Sequence, residues 1–239
     1  MHRFFTEQIT DRWATITGED VRHIGRVLRL TRGDRVQLCD GRGQDYDAVI
    51  AEVTDEAVTL SVGAPYPSAT EPTSRVTLFQ CLPKVGKMET IVQKCTELGA
   101  AAIVPVVSAR CVALPGGNYD NKRVRYQRVA MEAAKQSRRG VIPEFGSLQT
   151  LDRLDPKAFD LFLMAYEDET ETGLKQLFSE KDPPGRMGLL IGPEGGFTPE
   201  EAALLREKGA RTVSLGPRIL RTETAGMAML AMVLFQLGQ

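Results

Sequence analysis

The chain has 239 residues, of which 30 are basic and 31 acidic, for a formal net charge of −1, with 42% hydrophobic and 26% charged residues. This is an ordinary globular composition with room for one large domain or for a small and a medium one. No apolar run reaches the roughly 20 residues that span a bilayer, and the balanced charge excludes a chain that is basic throughout.

Cys39, Cys81, Cys95 and Cys111 form no CxxC pair, and the histidines are His2 and His23 alone. A zinc site of the usual spacing is excluded, no metal is expected, and the cysteines read as reduced, buried small hydrophobes. The opening Met1-His-Arg-Phe-Phe-Thr-Glu7 lacks the charged-then-apolar pattern of a signal peptide, so a cytoplasmic protein is expected.

Residues 1–72 read as a small β-rich domain. Two strand runs flank an Asp40-Gly41 turn, and Ala57–Val62 alternates as a further strand. A helix is predicted over Glu19–Leu30, with Val21, Ile24 and Leu28 on one face and Arg22, Arg26 and Arg29 on another. Together with Arg3 these arginines either meet a phosphate backbone or form a solvated face paired with Glu19 and Asp20. The proline-rich stretch Ala64–Ser74 reads as the linker to a second domain, residues 73–239.

There a βα alternation begins, which is the signature of a parallel sheet. The predicted elements are a strand Arg75–Leu82, a helix Lys87–Leu98, a strand Ala101–Val107, a basic helix Lys122–Arg139 and a strand Asp160–Tyr166. Lys84 and Lys87, beyond the first strand, are either phosphate contacts or solubilising charges. The basic helix, with Arg138 and Arg139 at its end, reads as an RNA backbone surface. The last helix, Thr222–Leu237, is apolar all round, must be buried on every side, and predicts a homodimer.

Two strand-to-loop-to-helix corners carry the functional signal. In the first, Leu189–Ile191 runs into Gly192-Pro-Glu-Gly-Gly196, and Thr198-Pro199 caps the following helix. In the second, Val213–Leu215 gives way to Gly216-Pro-Arg-Ile-Leu-Arg-Thr-Glu-Thr-Ala225. Ligands of open α/β sheets bind at such carboxyl ends of strands.

These two segments resemble the cofactor-binding end of the SPOUT methyltransferases, and most closely the RsmE family, which methylates N3 of a uridine in 16S ribosomal RNA. The resemblance implies an α/β parallel-sheet domain with a trefoil knot that binds S-adenosylmethionine, behind a PUA-like RNA-binding β-barrel. It also implies homodimerisation and a substrate within the small ribosomal subunit. The cofactor would be held by Met164, Ala165, Tyr166, Glu167, Ile191, Gly192, Pro193, Glu194, Gly195, Gly196, Leu215, Gly216, Ile219, Leu220, Thr224 and Ala225.

RNA would be met by Arg3, Arg22, Arg26, Arg29, Lys84, Lys87, Arg138 and Arg139. The EAAxQ-like Glu132, Gln136 and Arg139 are expected at the target pocket, although helix packing would explain Glu132 and Gln136 as well. A uracil N3 must lose its proton before it attacks a methyl group. Arg221 is therefore expected to stabilise the uracil oxyanion, and Glu223 or Glu194 to take the proton, although Glu223 also suits a helix-capping role and Arg218 or Arg221 a phosphate anchor. A dinucleotide-dependent oxidoreductase, which would need a GxGxxG segment this chain lacks, and a non-catalytic RNA-binding or ribosome-assembly module are the alternatives.

Overall fold

The computed structural model describes residues 1–112, 119–178 and 184–239. It divides into two compact units, Met1–Glu71 with Ala134–Ile142, and Pro72–Ala133 with Pro143–Gln239.

The first unit is a strongly curved sheet of β1 (Arg3–Phe5), β2 (Trp13–Thr17), β3 (Arg35–Cys39), β4 (Gln44–Val53), β5 (Ala57–Val62) and β6 (Tyr66–Pro67), ordered β1-β3-β4-β5-β2 with β6 beside β4. The chain just past β1 closes the ring on β2, where Thr15 N–H donates to Gln8 O at 3.0 Å. Alternating side chains fill the interior, including Phe4, Ile16, Leu38, Ile50 and Leu60, each at most 5% exposed. At the β3–β4 turn the Asp40 carboxylate accepts from the peptide N–H of Arg42 and of Gln44, at 2.7 and 3.0 Å.

Two expectations change here. The predicted single helix is a short α-turn, α1 (Glu19–Arg22), that widens into a π-helical turn at His23–Val27, closed by Leu28 N–H on His23 O at 2.9 Å. Arg22, Arg26 and Arg29 remain exposed, without strict α-helical register. The proline-rich stretch is not all linker, because Tyr66 and Pro67 pair with Asp45 and Gln44 as an edge strand, where proline is tolerated.

Residues 134–142 belong to this unit because Glu71 ties them down. Its carboxylate accepts from Arg139 Nη2 at 2.6 Å and from the N–H groups of Gly140 and Val141 at 2.7 and 3.1 Å. A Cβ on Gly140 would lie 2.2 Å from Ser68 Cβ. Arg3 donates to the carbonyls of Arg138 and Arg139 and pairs with Asp45 at 2.6 Å. The Arg3 and Arg139 side chains are only 9% and 3% exposed. Both were expected to bind RNA; in the structure both are committed to structural contacts, Arg3 to the buried Asp45 carboxylate and to carbonyls, Arg139 to the partly buried Glu71.

The second unit is an all-parallel sheet of β7 (Arg75–Cys81), β8 (Ala102–Val107), β9 (Glu144–Phe145), β10 (Gln149–Thr150), β11 (Leu161–Ala165), β12 (Arg186–Ile191) and β13 (Arg211–Val213). Its order is β10-β8-β7-β12-β11-β13, with β9 also on β8. Helices α2 (Lys87–Glu97), α3 (Tyr119–Gln136), α4 (Leu174–Leu177), α5 (Pro199–Glu207) and α6 (Thr222–Gln236) complete it. The central strands are continuous apolar runs because both faces are covered. Where β12 pairs with β11, Gly188 lies beside Phe162, and a Cβ on it would lie 2.3 Å from the Phe162 ring, so only glycine fits.

Against expectation, α3 begins and ends about one turn early, and β13 stops at Val213, which leaves Ser214 and Leu215 to the loop. Helix α6, expected to be covered all round only with a second copy, is covered on one side within the single chain. It sets Ala225, Gly226, Met229, Leu230, Val233 and Leu234 into the core and leaves Met232 42% and Phe235 77% exposed. Among the described residues no helix is long and apolar enough to cross a membrane.

Candidate active site

All strands of the second sheet run one way, so the carboxyl ends of β11, β12 and β13 deliver their loops to one edge. There the loops enclose a cavity of about 460 Å³, within the range of ligand sites. The first corner is held from behind. Arg110 Nη1 donates to Gly195 O and Phe197 O at 2.9 and 3.1 Å, and Thr198 and Glu201 form a reciprocal capping box at the start of α5. Gly196 has φ +66°, and a Cβ there would come within 1.7 Å of Glu167 Oε1.

The second corner is fastened to the first. Thr222 Oγ1 donates to Gly192 O at 2.6 Å and accepts from Gln80 Nε2 at 2.8 Å, a fully buried glutamine at the end of β7. Gly216, at φ +109°, turns the chain between them. Below the third loop, Thr212 Oγ1 donates to Glu169 at 2.6 Å, and Arg206 stacks over Tyr166 with its guanidinium 5.5 Å from the ring centre.

The charge at the cavity wall is organised around Lys87. Its ammonium lies 2.9 Å from Glu194 Oε1 and 3.0 Å from Glu223 Oε2. Burial pushes the Glu194 carboxyl up, but Lys87 and the Lys84 N–H outweigh burial and leave it below the usual range. For Glu223 burial is again the largest influence, and its own backbone N–H together with Lys87 reverses it. The same contacts, Glu194 first, raise Lys87. Both carboxylates are therefore ionised at neutral pH.

Of the sixteen residues expected at the cofactor, Ala165, Tyr166, Glu167, Ile191, Gly192, Pro193, Glu194, Gly195, Gly196, Leu215, Gly216, Ile219, Leu220 and Ala225 line this one cavity. Met164 is fully buried in β11, and Thr224 faces away on α6. Arg221 lines the cavity; Glu223 does not, and touches it only through Lys87. Glu132, Gln136 and Arg139 lie outside its wall. Sequence reasoning missed Ser214 and Thr222 as wall residues, took Lys87 for a phosphate contact and overlooked Gln80. A lone amide inside the apolar run Val76–Cys81 was the available signal.

A family model described as an RNA methyltransferase domain matches residues 70–234, and one described as an RNA methyltransferase PUA domain matches residues 16–63. In a chain that also carries a PUA-like unit, a glycine-cornered cavity on a parallel sheet thus defines an RNA methyltransferase. The chain is 36% identical to the ribosomal RNA small subunit methyltransferase E of Bacillus subtilis, covering 99% of this chain and 97% of that protein. It is 34% identical to the protein of that name from Synechocystis, covering 95% and 74%. The crystal structure of a ribosomal RNA small subunit methyltransferase E from Neisseria gonorrhoeae bound to S-adenosyl methionine matches with a TM-score of 0.83 at 28% identity, covering 98% and 97%.

The chain belongs to the ribosomal RNA small subunit methyltransferase E family. That assignment sets the oxidoreductase reading aside.

Proposed function

We propose that this chain methylates N3 of a uridine in 16S ribosomal RNA, within the small ribosomal subunit, using S-adenosylmethionine. The observation that carries the reading is the meeting of two glycine corners in one cavity whose wall also holds a lysine-bracketed carboxylate. The residues fit that cofactor. Its polar ends suit the peptide groups of Ile191–Gly196 and Leu215–Leu220, and the apolar side chains of Ile191, Leu215 and Leu220 in the same wall suit a purine ring. When bound, the cofactor supplies a methyl group on a positively charged sulfur.

The protein's own work is to orient and to move a proton. Arg221, at the cavity mouth, stabilises the charge that develops on a uracil carbonyl oxygen. Glu194, the ionised carboxylate in the wall, takes the N3 proton. The freed N3 electron pair forms the N–C bond as the S–C bond breaks, and the proton on Glu194 returns to water. Glu223 keeps Lys87 charge-balanced behind it. The N3 edge is occupied in a duplex, so the target uridine is unpaired or flipped out.

Arg22, Arg26, Arg29, Lys84 and Arg138 are the exposed cations of the expected RNA set, and Lys122 and Arg128 on α3 extend it. The amino-terminal unit is inferred to be the RNA-binding domain, the trefoil threading of the carboxyl-terminal segment is inferred from the family resemblance, and the enzyme is placed in the cytoplasm with its substrate. Incubation with methyl-labelled S-adenosylmethionine and small subunits from a strain without its own enzyme should put label into 3-methyluridine at one site. Label in another nucleoside would overturn the N3 assignment, and no label would overturn the methyltransferase reading.

The bare Met232 and Phe235 on α6 support a homodimer through this helix. Sedimentation velocity should give a dimer for the wild type and a monomer for Phe235→Glu, since a buried carboxylate without a partner is costly. A monomeric wild type would refute the assembly.

A further inference from the structure

We propose that Lys87 is a positioning residue for the methyl transfer, holding the Glu194 carboxylate in the cavity wall and coupling it to Glu223. The inference rests on the reading of Glu194 as proton acceptor. It replaces the phosphate-contact role that the sequence suggested for this lysine.

The placement of Lys87 is unusual for a surface lysine. It is the first residue of α2, entered through Gly86 at φ 92°, where the positive end of the helix dipole disfavours a cation. A lysine there would normally extend into water, yet its side chain is only 23% exposed, and its Nζ lies within 3.0 Å of two carboxylates. These come from different places in the chain: Glu194 from the loop after β12, Glu223 from the first turn of α6. Lys87 thus joins the two corners that form the cavity. Without it the two carboxylates, each only 21% exposed, would face one another with little water between them.

The charged groups facing the cluster are Lys87, Glu194, Glu223 and Arg221, and the Lys84 peptide N–H also donates to Glu194 Oε1 at 3.1 Å. Two carboxylates on one ammonium give the acceptor freedom to act. As the N3 proton arrives, Glu194 gives up its hydrogen bond from Lys87, and the ammonium keeps its partner in Glu223. No half-buried cation is left alone at that moment. A single lysine–glutamate pair would have to break outright.

The sign of the pH effect follows from the direction of the carboxyl shift. Lys87 holds Glu194 below the ordinary 4.5, so the acceptor stays ionised as pH falls through the ordinary carboxyl range. Without the ammonium, burial and the Glu223 charge are opposed only by the peptide N–H groups of Lys84 and of Glu194 itself, and Glu194 takes up a proton at higher pH.

Lys87→Gln should lower kcat about 100-fold, leave KM for the RNA unchanged and move the acid limb of the rate profile to higher pH. Lys87→Arg should recover most of the rate and the wild-type limb. An acid limb that does not move, or a raised KM for RNA at unchanged kcat, would overturn the proposal in favour of a phosphate contact. The carboxyl titrations of Glu194 and Glu223, followed by NMR on carbon-labelled protein, need no turnover and should shift upward in Lys87→Gln. Superimposable titrations would also overturn the proposal, whereas a wild type that binds cofactor but methylates nothing would instead fault the function.

Discussion

Arg221→Ala is expected to lower kcat for methyl transfer by about 100- to 1000-fold, the usual cost of one donor to a developing oxyanion, with little change in cofactor affinity. Arg221 precedes the first turn of α6 in extended conformation, and its carbonyl accepts from Ala225 N–H at 2.8 Å, so its backbone is fixed. Its side chain is exposed at the cavity wall, and among the described residues it makes no ion pair within 4 Å. Arg110, by contrast, is committed to the carbonyls of the first corner. Arg221→Lys should recover little, because an ammonium cannot reproduce the planar fork. Single-turnover rates and calorimetric cofactor titration separate the outcomes. A matching loss in cofactor affinity would make Arg221 a cofactor anchor, and a rise only in KM for RNA would make it a phosphate contact.

The corners were legible because their signals are local. Apolar runs ending in glycine and proline mark strand ends, and Thr198-Pro199 followed by Glu201 spells out a helix start, so fourteen of sixteen expected cofactor residues meet in one cavity. The two misses, Met164 and Thr224, are questions of side-chain direction: one lies inside a strand buried on both faces, the other on the outer side of a helix. What the sequence could not give were pairings between distant segments. Lys87 and Glu194 are 107 residues apart, and Arg3 and Asp45 are 42 apart. A cation destined for a buried carboxylate looks, residue by residue, like one destined for a phosphate. The basic run Lys135–Arg139 illustrates this, since Lys135 pairs with Asp20 at 3.0 Å and Arg139 with Glu71, while Arg138 alone of its two arginines stays exposed. The π-helical turn at His23–Val27 was illegible for another reason, because its apolar spacing suits an ordinary α-helix equally well.

Glu71→Ala should destabilise the amino-terminal unit by about 3 to 5 kcal/mol, the range for removing one partner of a buried ion pair. Four donors converge on this carboxylate: Arg139 Nη2 and Nε at 2.6 and 3.3 Å, Gly140 N–H at 2.7 Å and Val141 N–H at 3.1 Å. Alanine would strip the carboxylate from a guanidinium that is only 3% exposed and deprive two peptide donors of their acceptor. Total stabilities of such units are about 5 to 15 kcal/mol, so the loss is a large fraction of what holds residues 134–142 to the barrel. The single tryptophan, Trp13, lies in β2 of this unit, so its fluorescence in urea reports that unit's unfolding. The midpoint should fall steeply for Glu71→Ala and by less for Glu71→Gln, which retains one acceptor oxygen. Arg26→Ala is the control: it breaks an ion pair of 3.8 Å whose side chains are 76% and 96% exposed, and should cost at most about 0.5 kcal/mol. If Glu71→Ala unfolded with the control, the Glu71–Arg139 pair would not be what fastens this segment.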